Sequence, residues 1–290
     1  MKEPPGADSR DYLFAFPIWH PSEVPNGFAL GPTYLDFDTA VFVPRDDPDW
    51  FGRSAHPPRL LLLCRDRLVV VAHSAALDAA VEIPLQELES VESGSLLLLG
   101  WICIHSLTGD CRIPYNTRSR GPIDEWLWEL RRRWLGEDTN SVGLKPAAFG
   151  PPLTLKFRYA VERELDGQER QMATFFQPPC EQVARDWMLS RPKCLPGDLL
   201  ALTQRRLLWI TDRCEGRYEP YGTVAYCAPR RAISAVDFTD TSPAHTLRVH
   251  FPSGRKWLIP VTVEERGAAH HFEDLLHRTA GIEAVEAVSR

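Results

Sequence analysis

Residues 59–136 and 198–281 read as two copies of one unit, and this duplication restricts the fold more than any other feature of the chain. The first copy runs through Arg67-Leu68-Val69-Val70-Val71, Ile83-Pro84, Glu89-Ser90-Val91-Glu92, Gly109 and Ile113-Pro114. The second answers with Arg206-Leu207-Leu208-Trp209-Ile210, Ala228-Pro229, Ile233-Ser234-Ala235-Val236-Asp237, Gly254 and Ile259-Pro260, at offsets of about 139 rising to 146. One or two short loop insertions account for the drift, and both copies close on an amphipathic helix.

Within each copy the apolar runs are short, turn signals separate them, and β-branched or aromatic residues recur on alternate positions, which predicts an antiparallel meander. The sharpest hairpin is expected at Ile102–Ile113 with Thr108-Gly109 as its turn, Ser106 opposite Cys111 and His105 opposite Arg112. Ile102, Ile104, Cys111 and Ile113 then face the core, and Cys103, His105 and Arg112 face outward. Pro122 opens the closing helix of the first copy, Ile123, Trp126, Leu127, Leu130 and Trp134 form its apolar stripe, and Gly136 caps it. In the second copy Phe272, Leu275, Leu276 and Thr279 form the stripe before Gly281.

Leu35-Asp36-Phe37 followed by Ala40-Val41 resembles Leu155-Lys156-Phe157 followed by Ala160-Val161, so each unit is expected to begin with an additional early strand. The organisation predicted is an extended arm at 1–32, a first unit at 33–136, a connector at 137–152 and a second unit at 153–290. Proline and aromatic residues in the arm forbid a continuous helix or central strand there. One extra helix is expected at 180–190.

At Gly197-Asp198-Leu199-Leu200-Ala201-Leu202-Thr203-Gln204-Arg205-Arg206-Leu207-Leu208-Trp209-Ile210, followed by a proline-ended strand, Gly254 and a last helix, the chain resembles the bacterial pleckstrin-homology-like (GRAM-like) family. That family shows a strand, a Thr-x-x-Arg turn and a second strand. The first copy keeps Arg67 but has Cys64 in place of the threonine, so its likeness rests on the internal repeat. The resemblance implies a mainly β fold of two tandem sandwich or barrel units, each closed by a C-terminal helix, used for binding rather than catalysis.

The remaining features bound the function. The first 150 residues hold 14 basic and 21 acidic residues (net −7), the rest 19 and 18 (net +1), so neither half has the basic excess of a general nucleic-acid binder. Seven cysteines without regular spacing fit a reducing interior. With no signal peptide or membrane-spanning run, a cytoplasmic protein is expected. Cys103, His105 and Cys111 resemble zinc ligands by type, but the hairpin parity sends Cys111 to the opposite face, so no metal and no cofactor is expected. His270, Asp274 and His277 read as a solvated helix face, and the chain lacks nucleophile-elbow and phosphate-loop motifs, so no catalytic residues are assigned.

Two groups remain as candidate binding residues. Arg205 and Arg206, Arg230 and Arg231, and Arg255 and Lys256 occupy alternate turns of the second unit's meander and are expected at one end, where they would meet an anionic ligand or a lipid headgroup. Trp128 with Arg131 and Arg132 lies off the core stripe of the first closing helix, and Trp50 and Phe51 lie in a proline-rich loop; these are candidates for a partner or inter-unit contact. A protein partner is the favoured reading, an anionic ligand or membrane surface the alternative, and an unrecognised enzyme the third.

Overall fold

The computed structural model describes residues 13–28, 30–45, 56–73, 80–136, 153–165, 169, 171–182, 193–214, 217–218, 222–241 and 244–280. The protein is mainly β, its larger sheets holding five, seven and three strands. It divides into two compact units, 1–88 with 97–137 and 89–96 with 138–290. Among the described residues no helix is long and apolar enough to cross a membrane.

In the first unit β1 (Phe16–Ile18), β2 (Thr39–Val43), β3 (Arg59–Leu63), β4 (Arg67–Ala72) and β5 (Ala80–Pro84) pair in sequence order, each antiparallel to the next. The apolar runs of β3 and β4 are unbroken because both faces of this sheet are buried. Ala40, Phe42, Leu60, Leu62, Val69 and Val71 face one way, and the arm lays Phe16, Val24, Phe28 and Leu30 over them, with Tyr34 just after it. The predicted arm is thus docked over its described residues, with β1 adding a strand in the register Phe16↔Phe42. Val41, Leu61, Leu63, Leu68 and Val70 fill the other face.

After β6 (Leu88–Leu96) come β7 (Leu99–Ser106), β8 (Gly109–Asn116) and α1 (Arg120–Leu135). The β7–β8 ladder pairs Ser106 with Gly109 and Ile104 with Cys111, so the turn is Leu107-Thr108 rather than Thr108-Gly109. The ladder is two residues out from the predicted register, which preserves parity: Ile102, Ile104, Cys111 and Ile113 still share a face. The Ser106 hydroxyl, 3.1 Å from Thr108 Oγ1 and donating to Gly109 O at 2.9 Å, ties the turn one residue earlier. On α1, Ile123, Trp126, Leu127, Leu130 and Trp134 are buried, and Gly136 follows at φ +83°, a left-handed conformation open to glycine.

In the second unit α2 (Leu155–Glu164) precedes β9 (Gln171–Gln177), β10 (Cys180–Gln182), β11 (Lys193–Leu195), β12 (Asp198–Thr203), β13 (Arg206–Thr211), β14 (Arg213–Cys214), β15 (Arg217–Tyr218) and β16 (Thr223–Pro229). Then follow β17 (Ala235–Thr241), β18 (Ala244–His250), β19 (Lys256–Val261) and α3 (Arg266–Ala280). The strands β9, β12, β13, β16 and β6 lie side by side in that order, all antiparallel, and β17, β18 and β19 form the three-stranded sheet. Because Val91 of β6 pairs with Cys227 of β16, residues 89–96 belong to the second compact unit although the repeat assigns them to the first. Phe175, Leu200, Leu207, Trp209, Val249, Trp257, Phe272 and Leu276 form the unit's core.

The expected early strand at Leu155–Val161 is a helix instead. Phe157, Ala160, Val161 and Glu164 are buried at i, i+3, i+4 and i+7, a helical stripe that a five-residue likeness to β2 could not distinguish from alternation. The Phe157 ring meets Phe176 of β9 edge-on at 5.2 Å. The strand corresponding to β2 is β9, which pairs with β12 as β2 pairs with β3. Each first sheet is therefore covered outside by the segment preceding it, an extended arm in one unit and a helix in the other. The extra helix expected at 180–190 is not formed at its start, where Cys180–Gln182 pairs with Lys193–Leu195. Residues 183–192, the connector 137–152, and Trp50 and Phe51 lie outside the described residues.

Candidate functional site

Thr203 explains the motif at 203–206. Its hydroxyl oxygen accepts the backbone N–H groups of Arg205 and Arg206 at 3.2 and 3.0 Å, closing a side-chain-stabilised turn between β12 and β13. The same hydroxyl lies 2.6 Å from Glu169 Oε1. Arg206 is not an outward cation, which corrects the expectation for it. It is 3 % exposed, its Nε donates to both oxygens of Glu169, and its Nη2 donates to Glu169 Oε2 and to Glu164 O. This fork-shaped pairing is the geometry in which a buried arginine is stable, and it removes Arg206 from contact with any ligand.

The three turns do meet at one end. Arg230 N donates to Arg205 O at 2.9 Å and Arg230 Nη1 to Gln204 O at 3.1 Å. Burial lowers the Arg230 guanidinium from its usual range. Glu89 and Pro229 lie at the same end of the β6–β16 pair, since each is two residues beyond the Val91↔Cys227 rung. The buried Glu89 carboxylate then accepts Ser253 N at 2.7 Å, the Ser253 hydroxyl and Arg255 Nη1 at 3.2 Å, clamping the β18–β19 turn. Two carboxylates that sequence reasoning did not place here, Glu89 and Glu169, thus engage Arg255 and Arg206. At this end Arg231 and Lys256 are exposed and Arg205 and Arg230 half-buried, so fewer cations face outward than the six-residue cluster expected.

At the opposite end of the β12–β13 pair the polar residues are buried more deeply. Asp198 is wholly buried and accepts the Trp209 indole N–H at 2.8 Å; that indole stacks on Tyr226 at 4.5 Å. Burial pushes the Asp198 carboxyl up to about 6, against the opposing pull of the Trp209 N–H and the Thr211 hydroxyl. Asp212, raised by burial as well, accepts Gly197 N at 2.7 Å and faces Lys156 Nζ at 3.7 Å. Gly197 is required here, because a Cβ would come within 2.9 Å of the Phe157 ring. The Gly-Asp start of the motif is therefore a packing and hydrogen-bonding device.

Because Asp198 has a folded pKa near 6, above the 3.8 it takes in a solvated chain, the folded state binds its proton more tightly. Its contribution to stability is complete below the unfolded pKa and is lost as pH rises through 6. Between pH 5 and pH 7.5 this amounts to about 1.4 kcal/mol. Asp198→Asn should flatten that part of the profile, measured as urea midpoints across pH; an unchanged slope would assign the dependence to other groups.

On α1 the residues expected to face outward divide. Trp128 is 52 % exposed, with the Arg132 guanidinium 5.9 Å above its ring, and Glu129 accepts Arg132 Nε and Nη2 at 2.9 and 2.8 Å. The Arg132 bond holds the Glu129 carboxyl below its usual range despite partial burial. Arg131 is buried, contrary to expectation, since it continues the edge of the Leu127–Trp134 stripe. Cys103 and His105, expected at the surface, are 9 % and 8 % exposed, with Cys103 Sγ 3.9 Å from His105 Nδ1. His105 Nδ1 also lies 3.1 Å from Asp110 Oδ1. Cys111 faces the other way and burial raises its thiol, so a metal held here would draw on Cys103 and His105 and not on Cys111. On α3 it is Glu273, not Asp274, that lies between His270 at 3.2 Å and His277 at 3.9 Å.

These arrangements define a mainly β protein whose charged and hydrogen-bonding residues largely hold its own turns and strand ends. No family model matches the chain, and no curated protein matches it.

Proposed function

We propose that the chain is a non-enzymatic binding or scaffold protein of the cytoplasm, built of two pleckstrin-homology-like units and engaging a protein partner through the outer side of α1. The observation that carries this reading is the Trp128–Arg132 pair. A tryptophan and an arginine are the side chains that most often dominate protein interfaces, and here the arginine is already stacked and oriented by Glu129, which lowers the ordering cost of binding. The fold part of the reading is supported by matching element order: β2 to β5, β6 to β8 and α1 in one copy, and β9, β12, β13, β16, then β17 to β19 and α3 in the other. Cys64, Cys103, Cys111 and Cys227 carry free thiols, which is in keeping with a reducing interior.

Capture from a lysate of the native organism tests the reading. A protein retained by wild type, lost with Trp128→Ala and weakened by Arg132→Glu is the expected result; equal recovery with all three would overturn the assignment to α1. The meeting of the Arg205 and Arg230 turns supports a second reading, an anion site on the second unit. Titration with inorganic phosphate should then show binding that Arg230→Glu/Arg231→Glu abolishes, and binding that survives this change would exclude the site.

A further inference from the structure

We propose that copies of this chain join head to tail, the outer edge of β5 in one pairing with the outer edge of β17 in the next. The chain already makes this kind of junction once. Within the second compact unit β6 pairs antiparallel with β16, from Thr223↔Ser95 to Cys227↔Val91. In the repeat β6 answers to β17 and β16 to β5. Ser90-Val91-Glu92 matches Ala235-Val236-Asp237, Ile83-Pro84 matches Ala228-Pro229, and both matches run at an offset of 145. The counterpart pair, β17 with β5, is not made among the described residues: β5 ends the five-stranded sheet and β17 ends the three-stranded one, each with no strand beside its outer edge. Each chain therefore carries both halves of a junction that it has used only once, and a second copy is the partner that supplies the missing halves.

The backbone of both edges is in phase for this pairing. Antiparallel hydrogen bonds alternate along a ladder, so one bond fixes which residues of a strand point to each side. Leu85 N donates to Asp66 O at 2.8 Å, in the β4–β5 register, which turns the N–H and C=O groups of Val81 and Ile83 toward β4 and those of Ala80 and Glu82 outward. Phe251 N donates to Arg255 O at 2.9 Å, in the β18–β19 register, which turns the backbone of Arg248 and His250 toward β17. Their partners Asp237 and Ala235 point back at them, and Val236 and Phe238 point outward. Moving the β6–β16 rungs by the offset of 145 sets Glu82 opposite Val236 and Ala80 opposite Phe238. These are the outward residues of both strands, whereas a slip of one residue would set them against inward ones. Neither edge is guarded against pairing. No lysine stands on either strand, and Pro84 lies two residues past the last rung, where Pro229 lies in β16. Glu82 is held by the Tyr34 hydroxyl at 2.5 Å and by Arg67 at 3.2 Å, and Asp237 by His250 and by Arg248 at 3.6 Å, so these acids enter the junction already paired. The inference rests on the strand edges and the repeat, and it goes beyond the partner contact at α1 without depending on it.

Sedimentation velocity on the full chain tests it. Wild type is expected to pass from single copies to dimers and longer assemblies as its concentration rises. Ala80→Pro removes an outward donor and leaves the β4–β5 bonds in place, so it should associate at least about tenfold more weakly with its circular dichroism unchanged. A cysteine pair tests the register without relying on that variant. On the proposed rungs Val81 stands opposite Asp237 in a pair whose backbone bonds point away from each other, close enough for a disulfide. Under oxidising conditions a mixture of Val81→Cys and Asp237→Cys chains should form a linked dimer, above the wild-type background, that neither variant forms alone. A wild type that stays monomeric at every concentration overturns the proposal, as does undiminished association of a folded Ala80→Pro. Linkage in one variant alone would pair like edges, and linkage inside a single Val81→Cys/Asp237→Cys chain would join the edges of one copy; either result overturns it.

Discussion

Arg206→Ala is expected to cost the second unit about 3–5 kcal/mol, because it strands the Glu169 carboxylate beneath the surface without its partner. The reciprocal Glu169→Ala should cost a similar amount. The cost comes from the orphaned charge and not from the attraction itself, since two ions taken out of water lose hydration that their pairing barely restores. Glu169→Leu/Arg206→Met, which removes both charges and keeps the volume, should therefore lie within about 1.5 kcal/mol of wild type. The repeat supplies an internal control. Arg67 holds the matching position in the first copy and pairs with Glu82 at 3.2 Å, but the two side chains are 37 % and 41 % exposed. Arg67→Ala should cost under about 1 kcal/mol. Urea unfolding of the four variants gives the comparison, and near-equal losses for Arg67→Ala and Arg206→Ala would show that burial does not set the energy of this pair.

Arg67 and Arg206 also show where sequence reasoning reached and where it stopped. Their equivalence is legible because both open the strand after a short turn, and the alternating and unbroken apolar runs around them identify strands. Their environments are not legible. Glu169 is 37 residues from Arg206, and Glu89 is 164 residues from the Ser253 it clamps. Nothing in local periodicity reports such distant pairings, so all six basic turn residues looked alike and two of them proved to be internal struts. The same limit explains α2: Leu155-Lys156-Phe157 and Leu35-Asp36-Phe37 are alike as strings, and only the sheet beneath decides which of them coils. Hairpin parity at Cys103–Cys111 was readable because it depends on the period of two, whereas the register depended on the hydroxyl of Ser106.

Trp134→Ala should be as damaging to the first unit, about 3–5 kcal/mol, because the indole is 2 % exposed and leaves a cavity that the surrounding strands cannot fill. It loses a hydrogen bond as well: Trp134 Nε1 donates to Leu88 O at 3.2 Å, and that carbonyl would be left without this donor. Leu130→Ala, removing a wholly buried side chain one turn earlier, should cost about 2–5 kcal/mol. Trp128→Ala on the same helix is expected to cost under about 1 kcal/mol, since its ring is half in solvent and its contact with Arg132 is a surface cation–π interaction. The contrast separates packing from recognition on one helix. Thermal and urea unfolding should rank the three variants in that order, and a Trp128→Ala loss equal to that of Trp134→Ala would mean that Trp128 serves the fold, leaving the outer side of α1 without its proposed anchor.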